Sequence, residues 1–233
     1  MKILGLIPAR GGSKAIPGKN IKELAGKPLL NYTYEAAKNS KNISRCVLSS
    51  DNDDIIEVAN RIGLEVPFKR PTNLADDKSP TLDVIKHALL FFKKQNVHFD
   101  AVCLLQVTSP FKTTQFIDTA IEEFVNSGAD SLISVQKVPD KFNPHWTFLK
   151  DNSNLLRIAT SQSEIISRRQ DLPVAFHRDG IIYLTKTEVL LNDNSMYGAK
   201  VAYIESPKEF NVNIDSEKDW NRAESMIQSF NKS

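Results

Sequence analysis

Glycine is scarce in this chain, at 9 of 233 residues, against an ordinary share of roughly 7%. Cysteine is scarcer still. Cys46 and Cys103 stand alone and far apart, which excludes a disulfide framework and any zinc-ligand spacing. No apolar run approaches the roughly 18 residues a membrane-spanning helix needs. Neither sign of charge dominates: 30 basic residues face 28 acidic ones, for a net charge of +2. That balance argues against a dedicated nucleic-acid binder, which carries a basic stripe. The opening Met-Lys-Ile-Leu-Gly-Leu-Ile makes a poor signal peptide, because its apolar run is short and a Pro-Ala-Arg turn follows. The expectation is a cytoplasmic protein with no membrane and no nucleic-acid partner. Hydrophobic content of 41% and charged content of 25% describe a folded chain rather than a disordered one. Its length suits one large domain with a full core.

What glycine there is clusters. Gly5, Gly11, Gly12, Gly18 and Gly26 fall in the first 26 residues, and no acid precedes Glu23. Lys2, Arg10, Lys14, Lys19 and Lys22 lie in that acid-free stretch. The N-terminus is therefore permissive in backbone and locally positive, unlike the rest of the chain.

Apolar runs alternate with helix-period segments through the first 135 residues. Strands are expected at Ile3–Ile7, Arg45–Ser49, Glu65–Phe68, Ala101–Gln106 and Ser131–Val135. Helices are expected at Pro28–Asn39, Asp53–Ile62 closed by Gly63, Pro80–Gln95 and Thr113–Asn126. Strands alternating with such helices imply βαβ units and a largely parallel sheet. From Gln136 to about Asp179 the pattern breaks, punctuated by Pro139, Pro144 and Pro173. The stretch is too long for a plain loop and reads as an inserted hairpin-like arm that serves as a subunit contact. Beyond it come strands at Ile181–Leu184 and Lys200–Ile204 and a last helix at Glu217–Phe230. The whole is one domain, 1–233, with the arm at about 136–179.

The first strand runs into Pro8-Ala9-Arg10-Gly11-Gly12-Ser13-Lys14-Ala15-Ile16-Pro17-Gly18-Lys19-Asn20. In an open α/β sheet ligands sit beyond the carboxyl ends of the strands. Backbone N–H groups at Gly11-Gly12 can form an anion-binding nest there, and Arg10, Lys14 and Lys19 add three cations. The expected ligand is polyanionic, a triphosphate; a solvated basic turn is the competing reading. Two familiar phosphate motifs are absent. There is no Gly-x-Gly-x-x-Gly. The Gly12 to Gly18 interval is one residue too long for a P-loop, and Asn20 follows Lys19 where a hydroxyl is needed.

Ile-Pro-Ala-Arg-Gly-Gly-Ser-Lys followed by Pro-Gly-Lys-Asn resembles the opening of the acylneuraminate cytidylyltransferases, the CMP-nonulosonate synthetases. The resemblance continues in order along nearly the whole chain. It implies a three-layer Rossmann-like nucleotidyltransferase fold with a mostly parallel central sheet and a small inserted dimerisation arm. It implies a reaction in which a nonulosonic acid and CTP give the CMP-sugar and pyrophosphate, with Mg2+ as cofactor. It also implies a homodimer or dimer-based tetramer. Kdo-type or other sugar nucleotidyltransfer, and a non-catalytic nucleotide-binding module, remain as alternatives.

On that resemblance Ala9, Arg10, Gly11, Gly12, Ser13, Lys14, Lys19 and Asn20 form the nucleotide loop, with Arg10 and Lys19 also counted as catalytic. Arg70, Ser79 and Thr81 become nucleotide contacts, although Ser79 alone would serve as a helix N-cap before Pro80. Gln106, in Gln-x-Thr-Ser-Pro, falls at the acyl-sugar site; an amide there presents donor and acceptor together. Capping of the next helix would explain Thr108 and Ser109 equally well. Arg168 and Arg169, in Arg-Arg-Gln-Asp, become catalytic cations, where a charged surface turn is the plainer reading. Arg178, entering a strand, is a candidate sugar-pocket residue or part of a plain turn. Asp215 and Asn213 become the metal site, on one face of an extended segment. Two departures from the family pattern stand out: Asn213 where many members have aspartate, and Ala15 where many have glycine. No general base is assignable. The four histidines make no ligand spacing. His87 reads as structural, and Phe142, His145 and Trp146 as packing or subunit contacts.

Overall fold

The structure, a computed structural model, describes residues 1–210 and 212–230. Its elements in chain order are β1 (Ile3–Pro8), β2 (Glu23–Leu24), β3 (Lys27–Pro28), α1 (Leu29–Lys38), β4 (Arg45–Ser49), α2 (Asp53–Ile62), α3 (Thr81–Lys94) and β5 (Ala101–Leu104). There follow α4 (Thr114–Ser127), β6 (Ser131–Lys137), β7 (Phe148–Lys150), β8 (Leu156–Ile158), β9 (Phe176–Lys186), α5 (Thr187–Leu191), β10 (Val201–Glu205) and α6 (Glu217–Phe230). The chain divides into two compact units, Met1–Ser134 with Asp179–Ser233, and Val135–Arg178.

Six strands form the main sheet in the order β10-β6-β9-β5-β1-β4. β1 pairs in parallel with β4, from Leu4↔Arg45 to Pro8↔Ser49, and with β5, from Ile3↔Ala101 to Leu6↔Leu104. β9 lies antiparallel to β5, from Ala101↔Lys186 to Leu104↔Tyr183. Strand β1 is an almost unbroken apolar run because both of its faces are covered. Ile3 and Ile7 pack with residues of α1, α2, α4 and α6, while Leu4 and Leu6 pack with α3 and α5. Helices on both faces of a mostly parallel sheet make the three-layer Rossmann-like architecture that the motif order implies.

Local signals set the helix ends. The Asn52 side chain caps α2 by accepting from Ile55 N–H at 2.9 Å, and Gly63 closes the helix at φ +84°. Thr113 caps α4 through Phe116 N–H, and Gly128 ends it at φ +62°. Glycine suits both ends because the left-handed conformation costs it nothing.

Three expectations fail in detail. Glu65–Phe68 is not a strand; only the isolated bridges Val47↔Glu65 and Ser50↔Lys69 form. Pro67 has no N–H to give, so a ladder cannot run through it. Ser79 does not cap α3: its hydroxyl donates to the Asn73 carbonyl at 3.0 Å, and Pro80 holds the cap position without a side-chain bond. β9 starts at Phe176, five residues before the expected Ile181, so the apolar run marks only its buried second half.

In the unit Val135–Arg178, β7 and β8 form an antiparallel hairpin. Its turn is held by the Asp151 carboxylate, which accepts from Ser153 and Leu155 N–H at 2.9 Å each. Trp146 Nε1 donates to the Ile166 carbonyl at 2.5 Å, and Asn143 Nδ2 to the Pro173 carbonyl at 2.9 Å. Phe142, Phe148, Leu149, Leu155, Leu156, Ile165 and Val174 of this small unit are nonetheless exposed, Leu156 to 70%. Among the described residues no helix is long and apolar enough to cross a membrane.

The two cysteines flank the centre of the sheet, both in register with Gly5. Burial pushes the Cys46 thiol up to about 12 and raises that of Cys103 as well. Neither thiol is therefore expected to react with an aromatic disulfide reagent at pH 8 in the folded protein, and both should react after denaturation. Rapid stoichiometric labelling of the native protein would contradict this packing.

Candidate active site

Beyond Pro8 the chain keeps to β4 for one more bond, Ala9 N–H to the Ser49 carbonyl at 3.0 Å, and then turns away. Gly11 N–H donates to the Asp51 carboxylate at 3.2 Å. A Cβ on Gly11 would lie 2.9 Å from Cβ of Asn52, the residue that caps α2. Glycine is needed there so that the loop can pass over that helix start. A Cβ on Gly12 would meet nothing within 4 Å. The loop closes through Asn20, which is buried and donates its amide to the Arg10 carbonyl at 2.9 Å. Gly18, at φ +64°, takes the sharp turn before it.

This loop forms one wall of a cavity of about 530 Å³ at the carboxyl ends of β1 and β5. Arg10, Ser13, Lys14, Lys19, Asn20, Arg70, Ser79, Thr81, Gln106 and Asp215 all line it. Ten residues singled out in the sequence, spread over some 200 positions, thus share one space. Ala9, Gly11, Gly12 and Asn213 do not line it. Ala9 is buried, and the Gly11 N–H is already engaged by Asp51. The loop therefore offers the cavity side chains more than an open nest of amides. The absence of a side chain at Gly11 explains the loop's position instead.

Each cation of the cavity has its own setting. Arg70 is buried and holds the end of β4, Nε donating to Ser49 Oγ at 3.0 Å and Nη2 to the Ser49 carbonyl. Burial pulls its guanidinium down to about 10; Asp51 opposes the fall and Arg10 adds to it. Arg10 and Lys14 converge on one acid, Asp77, with Arg10 Nη2 at 2.7 Å from its carboxylate. The Lys14 ammonium chiefly, and Arg10 with it, hold the Asp77 carboxyl below the usual carboxylate range. Both pairs are solvent-exposed, a setting in which ion pairs contribute little and exchange readily. Lys19 is more enclosed. Its Nζ donates to the Ile214 carbonyl at 2.5 Å and to Asp215 at 3.2 Å.

The other wall is the turn after β5. Gln106, Val107 and Thr108 line the cavity. The Thr108 carbonyl accepts Ile214 N–H at 2.8 Å, which ties this turn to the segment carrying Asp215. Asp215 also accepts from the Asn213 amide. It does not cap α6. That helix starts on a reciprocal pair, Ser216 N–H to Asp219 at 2.9 Å and Asp219 N–H to Ser216 Oγ at 3.3 Å, a capping box. Asp215 is left facing the cavity.

Sequence reasoning missed Asp77, Asp51 and Lys112. Asp77 was visible as an acid in the Arg70–Thr81 block, but nothing in the sequence says that it meets Arg10. Lys112 gave no signal, since a lysine before a helix is normally solvated. Arg168, Arg169 and Arg178 belong to the second unit. There Arg168 Nε pairs with Asp171 at 2.7 Å, Arg169 pairs with Asp140, and Arg178 is exposed. His87 packs edge-on against Phe68, at 4.8 Å between ring centroids, as a structural residue.

Comparison with known proteins adds three kinds of likeness. A family model described as cytidylyltransferase matches residues 4–230. The pseudaminic acid cytidylyltransferase of Campylobacter jejuni is 33% identical over 94% of this chain and 93% of its own. The CMP-N,N'-diacetyllegionaminic acid synthase of Legionella pneumophila is 35% identical over 98% and 97%. An N-acylneuraminate cytidylyltransferase of Danio rerio is 33% identical over 98% of this chain, which spans 51% of that larger protein. Among solved structures, a CMP:2-keto-3-deoxy-manno-octonic acid synthetase superposes with a TM-score of 0.72 at 14% identity, covering 98% and 99% of the two chains. A 4-diphosphocytidyl-2C-methyl-D-erythritol synthase of Anaerococcus prevotii gives 0.66 at 13%, covering 97% and 96%. These two likenesses concern the fold.

The two loop glycines separate cleanly by experiment. Gly11→Ala should cost about 1–3 kcal/mol through overpacking against Asn52, and Gly12→Ala should stay within about 0.5 kcal/mol of the parent. Urea unfolding of both variants checks this; equal stabilities would contradict the close approach at Gly11.

Proposed function

The chain belongs to the cytidylyltransferase family, and on that premise we propose that it activates a nonulosonic acid with CTP, yielding the CMP-sugar and pyrophosphate. Relatives named for pseudaminic, legionaminic and N-acylneuraminic acids, at about a third identity over most of the chain, support the substrate class. They differ in the acid they are named for, so the class rather than one acid is the conclusion. The observation that carries the reading is the cavity itself: the four cations Arg10, Lys14, Lys19 and Arg70, the carboxylates of Asp76, Asp77 and Asp215, and the amides of Asn20 and Gln106 around a single space.

In the proposed reaction the anomeric hydroxyl of the sugar attacks the α-phosphate of CTP. A new P–O bond forms, the bond to the β-phosphate breaks, pyrophosphate leaves with that electron pair, and the hydroxyl proton passes to solvent. The protein's part is positioning and charge compensation. A triphosphate entering the cavity takes Arg10 and Lys14 from Asp77, an exchange of one anion for another. Because the exposed pairs it replaces are weak, the exchange is easy, and the phosphates gain charge-assisted bonds. Lys19, held against Asp215, sets a third cation beside the reacting phosphates. Arg70, Ser79 and Thr81 flank the nucleoside, and Gln106 faces the sugar.

Magnesium fits the residues present in one particular way. Among the described residues no cluster of three metal-ligating side chains forms. Three carboxylates line the cavity, Asp76, Asp77 and Asp215; Asp77 is taken by Arg10 and Lys14, and Asp215 has the Asn213 amide hydrogen-bonded to it. That donor set suits an ion which keeps several waters and takes its other ligands from phosphate. Asp215, with Asn213 hydrogen-bonded beside it, would hold such an ion, whose bound charge would offset that of the triphosphate.

The exposed apolar residues of the unit Val135–Arg178 support a second copy of the chain as its partner, since a unit this small seldom leaves so many apolar side chains in water. In this reading Arg168, Arg169 and Arg178 serve the assembled homodimer or dimer-based tetramer. The reading sets the enzyme in the cytoplasm, where CTP is available.

Turnover decides the main reading. With magnesium, CTP and a panel of neuraminic, legionaminic, pseudaminic and Kdo-type acids, pyrophosphate and a CMP-sugar should form with a nonulosonic acid. Arg10→Ala should lose most of that rate with a native circular dichroism spectrum, and Asp215→Asn should raise the magnesium needed for half-maximal rate. No product from CTP with any nonulosonic acid would overturn it. For the assembly, light scattering should give a dimer or tetramer, and replacing Leu155 and Leu156 with serine should shift it toward monomer; a monomeric parent protein would refute the arm's role.

A further inference from the structure

Lys112 is the only buried lysine among the described residues. It follows Phe111, itself buried, and precedes α4. It makes no ion pair within the described structure. Its Nζ instead reaches three oxygens: Thr33 Oγ1 of α1 at 3.2 Å, the Gln106 carbonyl at 2.9 Å and the Ser109 carbonyl. The titratable groups that face it are Cys103 on β5 and Asp179 just before β9's buried half. Burial pulls its ammonium down to about 7. A buried amine is costly unless its hydrogen bonds are met, and here they are met by both ends of one turn.

That turn is the cavity wall formed by Gln106, Val107 and Thr108. Its two ends are the carbonyls that Lys112 holds. Between them the Thr108 carbonyl carries Ile214 N–H, and the Ile214 carbonyl carries Lys19 Nζ. The Gln106 side chain meanwhile passes Gly180, which stands at φ +84° and where a Cβ would sit 3.5 Å from Gln106 Oε1. An apolar side chain at position 112 would leave the Ser109 carbonyl without its Lys112 donor and the Gln106 carbonyl with only the longer bonds from Ser109 N–H at 3.4 Å and Thr33 Oγ1 at 3.5 Å, and so free the turn to relax. We propose that Lys112 is a positioning residue for the sugar substrate: by tying the Gln106 and Ser109 carbonyls to Thr33 of α1, it fixes the direction in which Gln106 enters the cavity. The proposal rests on the reading of Gln106 as the group that faces the acid sugar.

Steady-state kinetics on the parent protein and on Lys112→Met, Lys112→Arg and Thr33→Val test it. In folded Lys112→Met the KM for the acid sugar should rise about tenfold, the loss of roughly one hydrogen bond's worth of binding. The KM for CTP should stay within about threefold. Lys112→Arg, which can donate to both carbonyls, should recover most of the loss, and Thr33→Val should show a smaller rise confined to the sugar. Unchanged sugar KM in folded Lys112→Met, or parallel rises in both KM values without rescue by arginine, would overturn the proposal. If Lys112→Met does not fold, Thr33→Val decides by the same criterion. Failure of the catalytic reading would appear separately, as a parent protein without turnover on any acid sugar. Amide exchange then decides the positioning role: Thr33→Val should speed exchange at Ser109 and Ile214 relative to the strands, and unaltered exchange would refute it.

Discussion

Parallel pairing of β1 with both β4 and β5 is the constraint on which the site depends. Parallel neighbours run their carboxyl ends to the same edge of a sheet. The loop after Pro8, the Ser49–Asn52 segment and the turn after Leu104 therefore emerge side by side. Each then fastens to its neighbour by a short contact: Ala9 to Ser49, Gly11 to Asp51, Arg70 to Ser49 and Leu105 to Leu6. An antiparallel neighbour would send its loop to the opposite edge and leave the cationic loop with one wall. β9 is antiparallel to β5, and what it brings to the cavity edge is its entry, at Asp179 and Gly180, rather than its exit.

Charge compensation is the second organising fact. The N-terminal loop contains no acid of its own, yet its cations do not face one another uncompensated. Asp77 meets Arg10 and Lys14, and Asp215 meets Lys19. These pairs are partly exposed, so they restrain the side chains without holding them strongly. A highly charged substrate can displace such partners, whereas a buried pair would resist. Arg70 and Lys112 follow a different rule. Both are buried, both donate to main-chain carbonyls, and both are pulled down by burial. Both are bonded to backbone near the cavity wall, a contact that a mobile surface cation does not keep.

Much of the architecture was legible in the sequence because it follows from local rules. Apolar runs, helix-period faces, Asn52 and Thr113 as caps, and Gly63 and Gly128 as stops depend on residues a few positions apart. Where local rules met a competing interaction, the outcome changed. Pro67 interrupted a strand that the apolar pattern suggested. Ser79, well placed to cap α3, instead bonded back to Asn73 six residues earlier. Gly11 and Gly12 look alike in sequence, but only Gly11 has a neighbour, the Asn52 cap, close enough to forbid a side chain.

The sequence by itself determined the alternation of strands and helices, the positive and flexible character of the first loop, and the kinship carried by its opening block, since each is written in contiguous residues. Only the tertiary structure decided which groups meet: Lys19 with Asp215 across 196 positions, Arg10 with Asp77, and Lys112 with the two carbonyls of the Gln106 turn. Those meetings are set by strand order and by which loops share a sheet edge. Side-chain type can state what a residue is able to donate or accept, but not which distant oxygen will be waiting for it.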